Sequence, residues 1–233
     1  MQTGQEDSKF GFGLASGAAI EALARAREAA SLRLRGIHVH IGSQVFDVEN
    51  FAKALEVIAP LARSVDLEEL CVGGGLGVAY VEGEESPSLT DWARVVIDVC
   101  RSAGIESRIT AEPGRSIAAQ AAMTLYTVGT IKVIPGIRTY VSVDGGMSDN
   151  PRPVLYGSGY ETFVPARAGA ERPTPIRLVG KHCESGDLLV REGWVPDDLA
   201  VGDVISTPVT GAYGYSMASN YNRLLRPAVV FVG

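Results

Sequence analysis

The chain has 233 residues, of which 46% are hydrophobic and 21% charged, a composition that suits a globular protein with a sizeable core. Its net charge of -6 argues against binding to nucleic acid or an anionic membrane, because both attract basic surfaces. The three cysteines show no paired spacing, the N-terminal stretch lacks an apolar signal region, and no apolar run is as long as a membrane span. These features predict a reduced, cytoplasmic protein that acts on small molecules.

Three amphipathic helices are predicted in the first half of the chain. Ser16 and Asp47 are expected to cap the first two, and Pro60 should kink or end the second. The clearest pattern covers residues 88–104, where Gly104 acts as a stop signal. The apolar positions that repeat at helical spacing are, in order, Ile20, Leu23 and Ala24; Phe51, Leu55 and Ile58; and Trp92, Val95, Val96, Val99 and Cys100.

Short strands separate these helices. The segments 35–41, 67–72 and 106–114 are predicted to be strands and lie about thirty to forty residues apart, the spacing of β/α units in a parallel sheet. Such a barrel takes eight units and about 250 residues, whereas only three units are evident here. An open parallel sheet would leave an uncovered edge. Either the sheet is a small open one, or the sequence is the C-terminal part of a longer chain.

The pattern changes after about residue 122. Strand-like runs split by glycine and proline follow one another, and helical periodicity is lost. These runs are residues 124–134, 138–146, 175–183, 187–193 and 203–211. The predicted fold class is thus α/β followed by all-β, with a partial β/α barrel over residues 1–121 and a β-domain over residues 122–233.

Each predicted parallel strand ends in an unusual cluster. The first is followed by His40-Ile41-Gly42-Ser43-Gln44, the second by Gly73-Gly74-Gly75, and the third by Glu112-Pro113-Gly114-Arg115. Ligands of parallel α/β sheets bind at the carboxyl ends of the strands, so the three clusters are expected to face one site. Taken singly, each has an ordinary structural explanation.

The glycine run has two functional interpretations. Its backbone amides could cradle a phosphate. A dinucleotide fingerprint requires G-x-G-x-x-G leading directly into a helix, but Val78 takes the last position and a loop containing Pro87 follows. The phosphate interpretation is the better one.

The second half of the chain carries further reactive side chains. Cys183 stands beside Glu184 and near Asp187, where a thiol can keep its proton for donation. A buried, unreactive cysteine is the structural alternative. Arg152 in a proline- and glycine-rich loop suits a carboxylate, since its guanidinium can form two parallel hydrogen bonds. Tyr156 and Tyr213 lie in similar loops, whereas His38 and His182 are expected to be structural.

The sequence resembles the fold-type III pyridoxal-phosphate decarboxylases, and within them the branch that acts on diaminopimelate. The matching segments follow one order along nearly the whole chain: SKFGFGL, GIHVHIGSQ, VGGGLGVAY, AEPGRSI, VDGGMSDNPRPVLYG, HCESGD and GAYGYSMASNYN. The resemblance implies an alanine-racemase-like β/α (TIM) barrel with a C-terminal β-domain, and pyridoxal 5'-phosphate as cofactor. It also implies decarboxylation of meso-2,6-diaminopimelate to L-lysine, the last step of lysine biosynthesis.

The same resemblance suggests roles for individual residues. Cofactor contacts are implied for His40 on the ring, for Glu112 at the ring nitrogen, and for Ser43, Gly74, Gly75, Gly114 and Arg115 around the phosphate. Substrate contacts are implied for Arg115, Arg152, Tyr156, Glu184 and Tyr213, the last touching cofactor as well. Cys183 would reprotonate the carbanion. Cys183 and Glu184 would reach the partner's site in a head-to-tail homodimer, and no metal is implied.

One feature departs from the family pattern. The Schiff-base lysine of the family lies on an early barrel strand, and none of Lys9, Lys53, Lys132 and Lys181 stands in a matching context. The family also continues beyond the position of Gly233. The resemblance therefore implies a chain that is incomplete at both ends and inactive alone. Two alternatives stay open: a related decarboxylase of another amino acid, and a non-catalytic relative that binds a partner.

Overall fold

A computed structural model describes residues 8–233, which form two compact units. The first unit comprises the residues up to Val78 together with Glu85–Ser116, and the second comprises Ala79–Glu84 together with Ile117–Gly233. Within residues 8–233, no helix combines the length and apolarity needed to cross a bilayer.

The first unit is built from alternating helices and short parallel strands. Their order is α1 (Ala18–Glu28), β1 (Gly36–His38), α2 (Glu49–Val65), β2 (Glu69–Cys71), α3 (Leu89–Ser102) and β3 (Arg108–Thr110). The short helix α4 (Gly114–Ala118) follows and includes the boundary after Ser116. The three strands pair in the order β1-β2-β3, all parallel. The predicted β/α units are therefore confirmed.

Helices α2 and α3 supply the core that covers this sheet. Phe51 of α2 and Trp92 of α3 meet edge to face with ring centroids 5.8 Å apart, the arrangement that aromatic rings prefer. Ser88 caps α3, its Oγ accepting from the amide of Asp91, and Gly104 follows the helix with φ +65°. The core residues packed together are Phe51, Leu55, Ala62, Leu70, Val72, Leu76, Trp92, Val96 and Cys100.

The predicted caps Ser16 and Asp47 do not occupy the cap positions, and α2 does not end at Pro60. Ser16 does not cap α1, because its Oγ donates to the carbonyl of Gly13 and Gly17 occupies the cap position. Helix α1 has no buried residue, and Ile20 is 59% exposed, so its apolar face is not part of the core. Helix α2 does not end at Pro60 but continues to Val65, and the exposure of Pro60 lets water satisfy the carbonyl that a proline leaves unpaired.

Asp47 precedes the cap residue of α2 and still accepts a hydrogen bond from the first turn of the helix. Its Oδ1 accepts from the amide of Glu49 at 3.0 Å, while Val48 takes the cap position. The side chain thus satisfies one of the free amides of the first turn, as an aspartate near a helix start commonly does.

The second unit contains a five-stranded sheet, as the loss of helical periodicity predicts. Its elements are β4 (Thr124–Ile134), β5 (Arg138–Val143), a short helix α5 (Arg152–Tyr156), β6 (Thr174–Val179), β7 (Leu188–Val195) and β8 (Val204–Thr207). The strand order is β7-β6-β5-β4-β8, with only the β5–β6 pair parallel. The predicted change to an all-β module is confirmed.

Candidate functional site

The carboxyl end of β2 is a backbone without side chains. A Cβ on Gly74 would lie 2.1 Å from the carbonyl oxygen of Glu112, and one on Gly75 would lie 2.2 Å from that of Gly42. Both distances are far below any real contact, so the chain segments after β1 and β3 approach β2 more closely than any other residue allows. Gly75 also has φ +102°, a conformation that favours glycine.

Side chains from the two outer strands meet over this glycine run. Neighbouring parallel strands lie about 4.8 Å apart, so β1 and β3 are separated by roughly twice that distance. Nε2 of His38, at the end of β1, nevertheless lies 2.9 Å from Oε2 of Glu112, two residues beyond β3. The pair is open to solvent, with side-chain exposures of 50% and 60%.

His40 completes this cluster. Its ring stacks against that of His38 with centroids 6.3 Å apart and planes inclined by 15°. Two residues apart on an extended chain, the two rings point to the same side. The amide of Gly74 donates to Nδ1 of His40 at 3.3 Å, which holds the ring against the glycine run.

Ser43 and Arg115 form a second contact in the first unit. The guanidinium of Arg115 donates to Oγ of Ser43 at 2.9 Å, linking the segments that follow β1 and β3. The amide of Gly114 donates to the carbonyl of Glu112 at 2.8 Å, so the chain turns tightly between the carboxylate and the guanidinium. The convergence of the three strand ends is therefore present within the first unit.

His38, which the sequence predicts to be a structural residue, has a side-chain partner in the structure. Its partner Glu112 follows a strand that does not neighbour β1. The two can meet only because the intervening strand end carries no side chain. The signal that could have revealed the pair is the HxH spacing opposite the glycine run.

In the second unit, Arg152 is enclosed by tyrosines. It is only 5% exposed and donates to the hydroxyls of Tyr80 at 2.6 Å and Tyr160 at 3.3 Å, and to Oγ of Ser158 at 3.1 Å. Its guanidinium also lies over the ring of Tyr80, 4.6 Å from the centroid, a favourable cation–π position. The sequence predicted a loop here, whereas Arg152 is the first residue of α5.

The segment containing Cys183 and Glu184 is held in place by hydrogen bonds of neighbouring buried residues. Asp187, 3% exposed, accepts from the amides of Met147 at 2.6 Å and His182 at 2.8 Å. Nε2 of His182 lies 2.8 Å from Oγ of Ser148. His182 is therefore a buried residue of this framework, while Cys183 and Glu184 are exposed.

Tyr221 is a contact of Glu184 that sequence reasoning missed. Its hydroxyl donates a short hydrogen bond to the Glu184 carboxylate, and its ring lies 5.2 Å from that of His182. The hydrogen bond to Glu184 and the negative charge there raise the pKa of the Tyr221 phenol. The remaining candidates, Tyr156 and Tyr213, are about half exposed, at 52% and 47%.

Comparisons with known proteins agree with this architecture. The family model described as "Pyridoxal-dependent decarboxylase, pyridoxal binding domain" matches residues 1–119. The chain belongs to this family. The resemblance inferred from the sequence motifs is thereby confirmed.

Curated relatives and a solved structure are similar to the whole chain. Diaminopimelate decarboxylases of Mycobacterium tuberculosis and Corynebacterium efficiens are 44% and 45% identical to it over 100% of the chain and 56% and 54% of their own lengths. The crystal structure of diaminopimelate decarboxylase from Helicobacter pylori complexed with L-lysine has a TM-score of 0.84 at 36% identity. It covers 95% of this chain and 55% of its own. The chain thus spans about half the length of these relatives, and its fold class is that of a partial β/α barrel with a β-domain.

Proposed function

We propose that the chain supplies the pyridoxal 5'-phosphate site of a diaminopimelate decarboxylase, an enzyme that releases CO2 from meso-2,6-diaminopimelate to give L-lysine. The observation that carries the proposal is the meeting of His40, Glu112 and the Ser43–Arg115 pair around a glycine-lined strand end. The curated relatives at 44–45% identity support the choice of reaction and substrate.

The residues present fit this cofactor. A flat pyridine ring requires an open aromatic face and a carboxylate in line with its nitrogen, and the exposed His40 and Glu112 supply these groups. A phosphate requires hydroxyl, guanidinium and backbone amide donors. Ser43 and Arg115 are already in contact, and Gly74 and Gly75 leave the neighbouring backbone without side chains.

When bound, the cofactor withdraws the electrons that loss of CO2 leaves on the substrate α-carbon. Glu112 would keep a proton on the ring nitrogen, since an ionised carboxylate stabilises a neighbouring cation. His40 would stack on the ring and fix its plane. Ser43, Gly74, Gly75, Gly114 and Arg115 would hold the phosphate.

The substrate contacts are assigned to the other candidates. Arg115 and Arg152, with Tyr156, would bind carboxylates, and Arg152 would exchange a tyrosine hydroxyl for one of them. Tyr213 would contact both cofactor and substrate. Glu184 would bind the distal ammonium group, and the exposed Cys183 would deliver the proton that replaces CO2.

We further propose the assembly that completes these contacts. Cys183 and Glu184 would serve the site of a partner subunit in a head-to-tail homodimer with two shared sites. Residues 1–121 would contribute to the cofactor-binding barrel and residues 122–233 would form the β-domain, in a cytoplasmic protein. Because Lys9, Lys53, Lys132 and Lys181 do not match the family's lysine context, the 233-residue chain is expected to bind the cofactor without sustained turnover.

The first test measures cofactor binding by the purified chain. Pyridoxal 5'-phosphate should bind saturably with one equivalent per chain, followed by its absorbance, and His40→Ala or Glu112→Gln should weaken binding at least tenfold. Glu106→Gln is the matched control, because Glu106 is an exposed carboxylate outside the cluster. Non-saturable uptake, or uptake unaffected by His40→Ala, would overturn the assignment of the cofactor site.

The second test concerns the substrate. The cofactor-loaded chain should bind L-lysine more tightly than L-ornithine, and Glu184→Ala should remove that preference while leaving cofactor binding unchanged. A preference for ornithine would instead support a decarboxylase of another amino acid. Loss of amino-acid binding of every kind, with cofactor binding intact, would favour a non-catalytic relative.

A further inference from the structure

We propose that His38, His40 and Glu112 form a binding site for a divalent transition metal such as Zn²⁺, and that the metal and the cofactor ring exclude each other. One ligand atom from each of these side chains lies within 4.8 Å of the other two. Two imidazoles and one carboxylate are a ligand set that suits zinc, cobalt and nickel.

The geometry needs only modest side-chain movement. Two bonds of about 2.0–2.1 Å place neighbouring ligand atoms roughly 2.9–3.4 Å apart at angles between octahedral and tetrahedral. The observed separation of 2.9 Å between His38 and Glu112 already falls in that range. The remaining separations must shorten, and all three side chains are exposed enough to rotate.

The backbone beneath the cluster favours this approach. His38 and His40 lie on one side of an extended segment, and Glu112 reaches them across Gly73 and Gly74. A Cβ at Gly73 would lie 2.3 Å from the carbonyl oxygen of Val39, which excludes other residues, and 3.1 Å from Nδ1 of His40, so the glycine leaves room beside the imidazole. Coordination positions not filled by the protein face solvent and can hold water.

Metal binding and cofactor binding then make opposite demands on His40. The amide of Gly74 donates to Nδ1 of His40, so the neutral ring carries its proton on Nε2. A metal on Nδ1 uses the accepting lone pair, and a metal on Nε2 moves the proton to Nδ1. Either mode breaks the bond to Gly74 and turns the ring edge toward the ion, whereas stacking requires the ring face.

The test begins with direct metal binding by the full chain without cofactor. Co²⁺ should produce visible absorption bands that saturate at one equivalent, and Zn²⁺ should displace it. His38→Ala, His40→Ala and Glu112→Gln should each weaken Zn²⁺ binding at least tenfold in calorimetric titrations, with circular dichroism showing that the variants fold. Glu106→Gln and Cys183→Ser are controls for an exposed carboxylate and an exposed thiol outside the cluster.

Binding that survives all three cluster substitutions, or that is lost in Cys183→Ser, would overturn the metal site.

The competition depends on the proposed cofactor site and is measured separately. Zn²⁺ should raise the apparent Kd for pyridoxal 5'-phosphate in the unaltered chain and have little effect in His38→Ala, against a blank of cofactor and Zn²⁺ without protein. Metal binding without competition would retain the metal site and overturn the mutual exclusion. Failure of the cofactor alone to bind would overturn the proposed function and leave the metal titration valid.

Discussion

The two units treat their polar side chains in opposite ways. Within residues 8–233, the buried polar or charged side chains all belong to the second unit: Ser148, Asn150, Arg152, Thr162, His182, Asp187, Ser206, Thr207 and Thr210. The first unit has an apolar core and leaves His38, His40 and Glu112 exposed at its strand ends. Arg152 is the candidate that the second unit holds by internal hydrogen bonds, whereas its other candidates and the cluster of the first unit are exposed.

This difference separates stability from binding. A buried polar group that loses its partner costs about 1–3 kcal/mol, while an exposed ion pair contributes about 0–1 kcal/mol. Substitutions in the polar framework of the second unit should therefore lower the free energy of unfolding. Substitutions at the strand ends of the first unit should change ligand binding and leave stability nearly constant, except where the glycine backbone itself is altered.

The largest effect is expected for Asp187→Ala. The substitution leaves the buried amide of His182 and the part-buried amide of Met147 without their acceptor, at about 1–3 kcal/mol for the first and less for the second. Chemical denaturation followed by circular dichroism measures the loss. Asp198→Ala serves as the control, because Asp198 is an exposed aspartate of the same unit, and equal losses in the two variants would contradict the proposed framework.

Gly74→Ala should destabilise the first unit by about 1–3 kcal/mol. The new methyl group would lie 2.1 Å from the carbonyl of Glu112, so the backbone must move to relieve the overlap. Gly114→Ala is the matched comparison for stability, since a Cβ there meets nothing within 4 Å. Thermal unfolding of both variants measures the difference, and an unchanged melting temperature for Gly74→Ala would show that the strand ends are not closely packed.

Glu112→Gln should change the free energy of unfolding by less than about 1 kcal/mol. Its contact with His38 is solvent-exposed on both sides, so the attraction is screened. The same denaturation experiment applies, and a loss comparable to that of Asp187→Ala would mean that the exposed cluster is itself a stabilising element.

The smallest expected effect is a change in the pKa of the Tyr221 phenol. The pKa of Tyr221 is raised by its hydrogen bond to Glu184 and by the charge of that carboxylate, so its phenolate forms at higher pH than in an ordinary tyrosine. Ultraviolet titration of the chain minus that of Tyr221→Phe isolates this group. In Glu184→Gln the pKa should fall toward its ordinary value, and an unchanged titration would contradict the contact.

Hydrophobic spacing and turn residues in the sequence correctly predicted helices that pack against the sheet. The apolar face and the terminal glycine predicted for helix α3 are both present in the structure, which also shows a cap at Ser88. The apolar face predicted for α1 is not buried in the structure. Helical periodicity shows that a face could be buried, but it does not show that another element packs against that face. The predicted end of α2 at Pro60 is wrong because, at an exposed position, water can replace the backbone hydrogen bond that proline removes.

The candidate site was predictable to the extent that it depends on strand order. Parallel strands place His40, Gly74 and Glu112 at the same sheet edge, which sequence spacing indicates. The contacts of His38 with Glu112 and of Tyr221 with Glu184 join positions 74 and 37 residues apart. No repeating sequence pattern links residues so far apart, so only the structure reveals these two contacts. The roles assigned by resemblance stay predictions.

The hydrogen bond from Gly74 to His40 makes the glycine amide a built-in spectroscopic sensor. The nitrogen and proton chemical shifts of an amide respond strongly to its acceptor, and glycine resonances occupy a distinct region of a two-dimensional NMR spectrum. Protonation of His40 at Nδ1 would remove the acceptor, so a single peak would follow the state of the imidazole without any label on the ring. The residue that contributes no side chain to the cluster would thereby report on its chemistry.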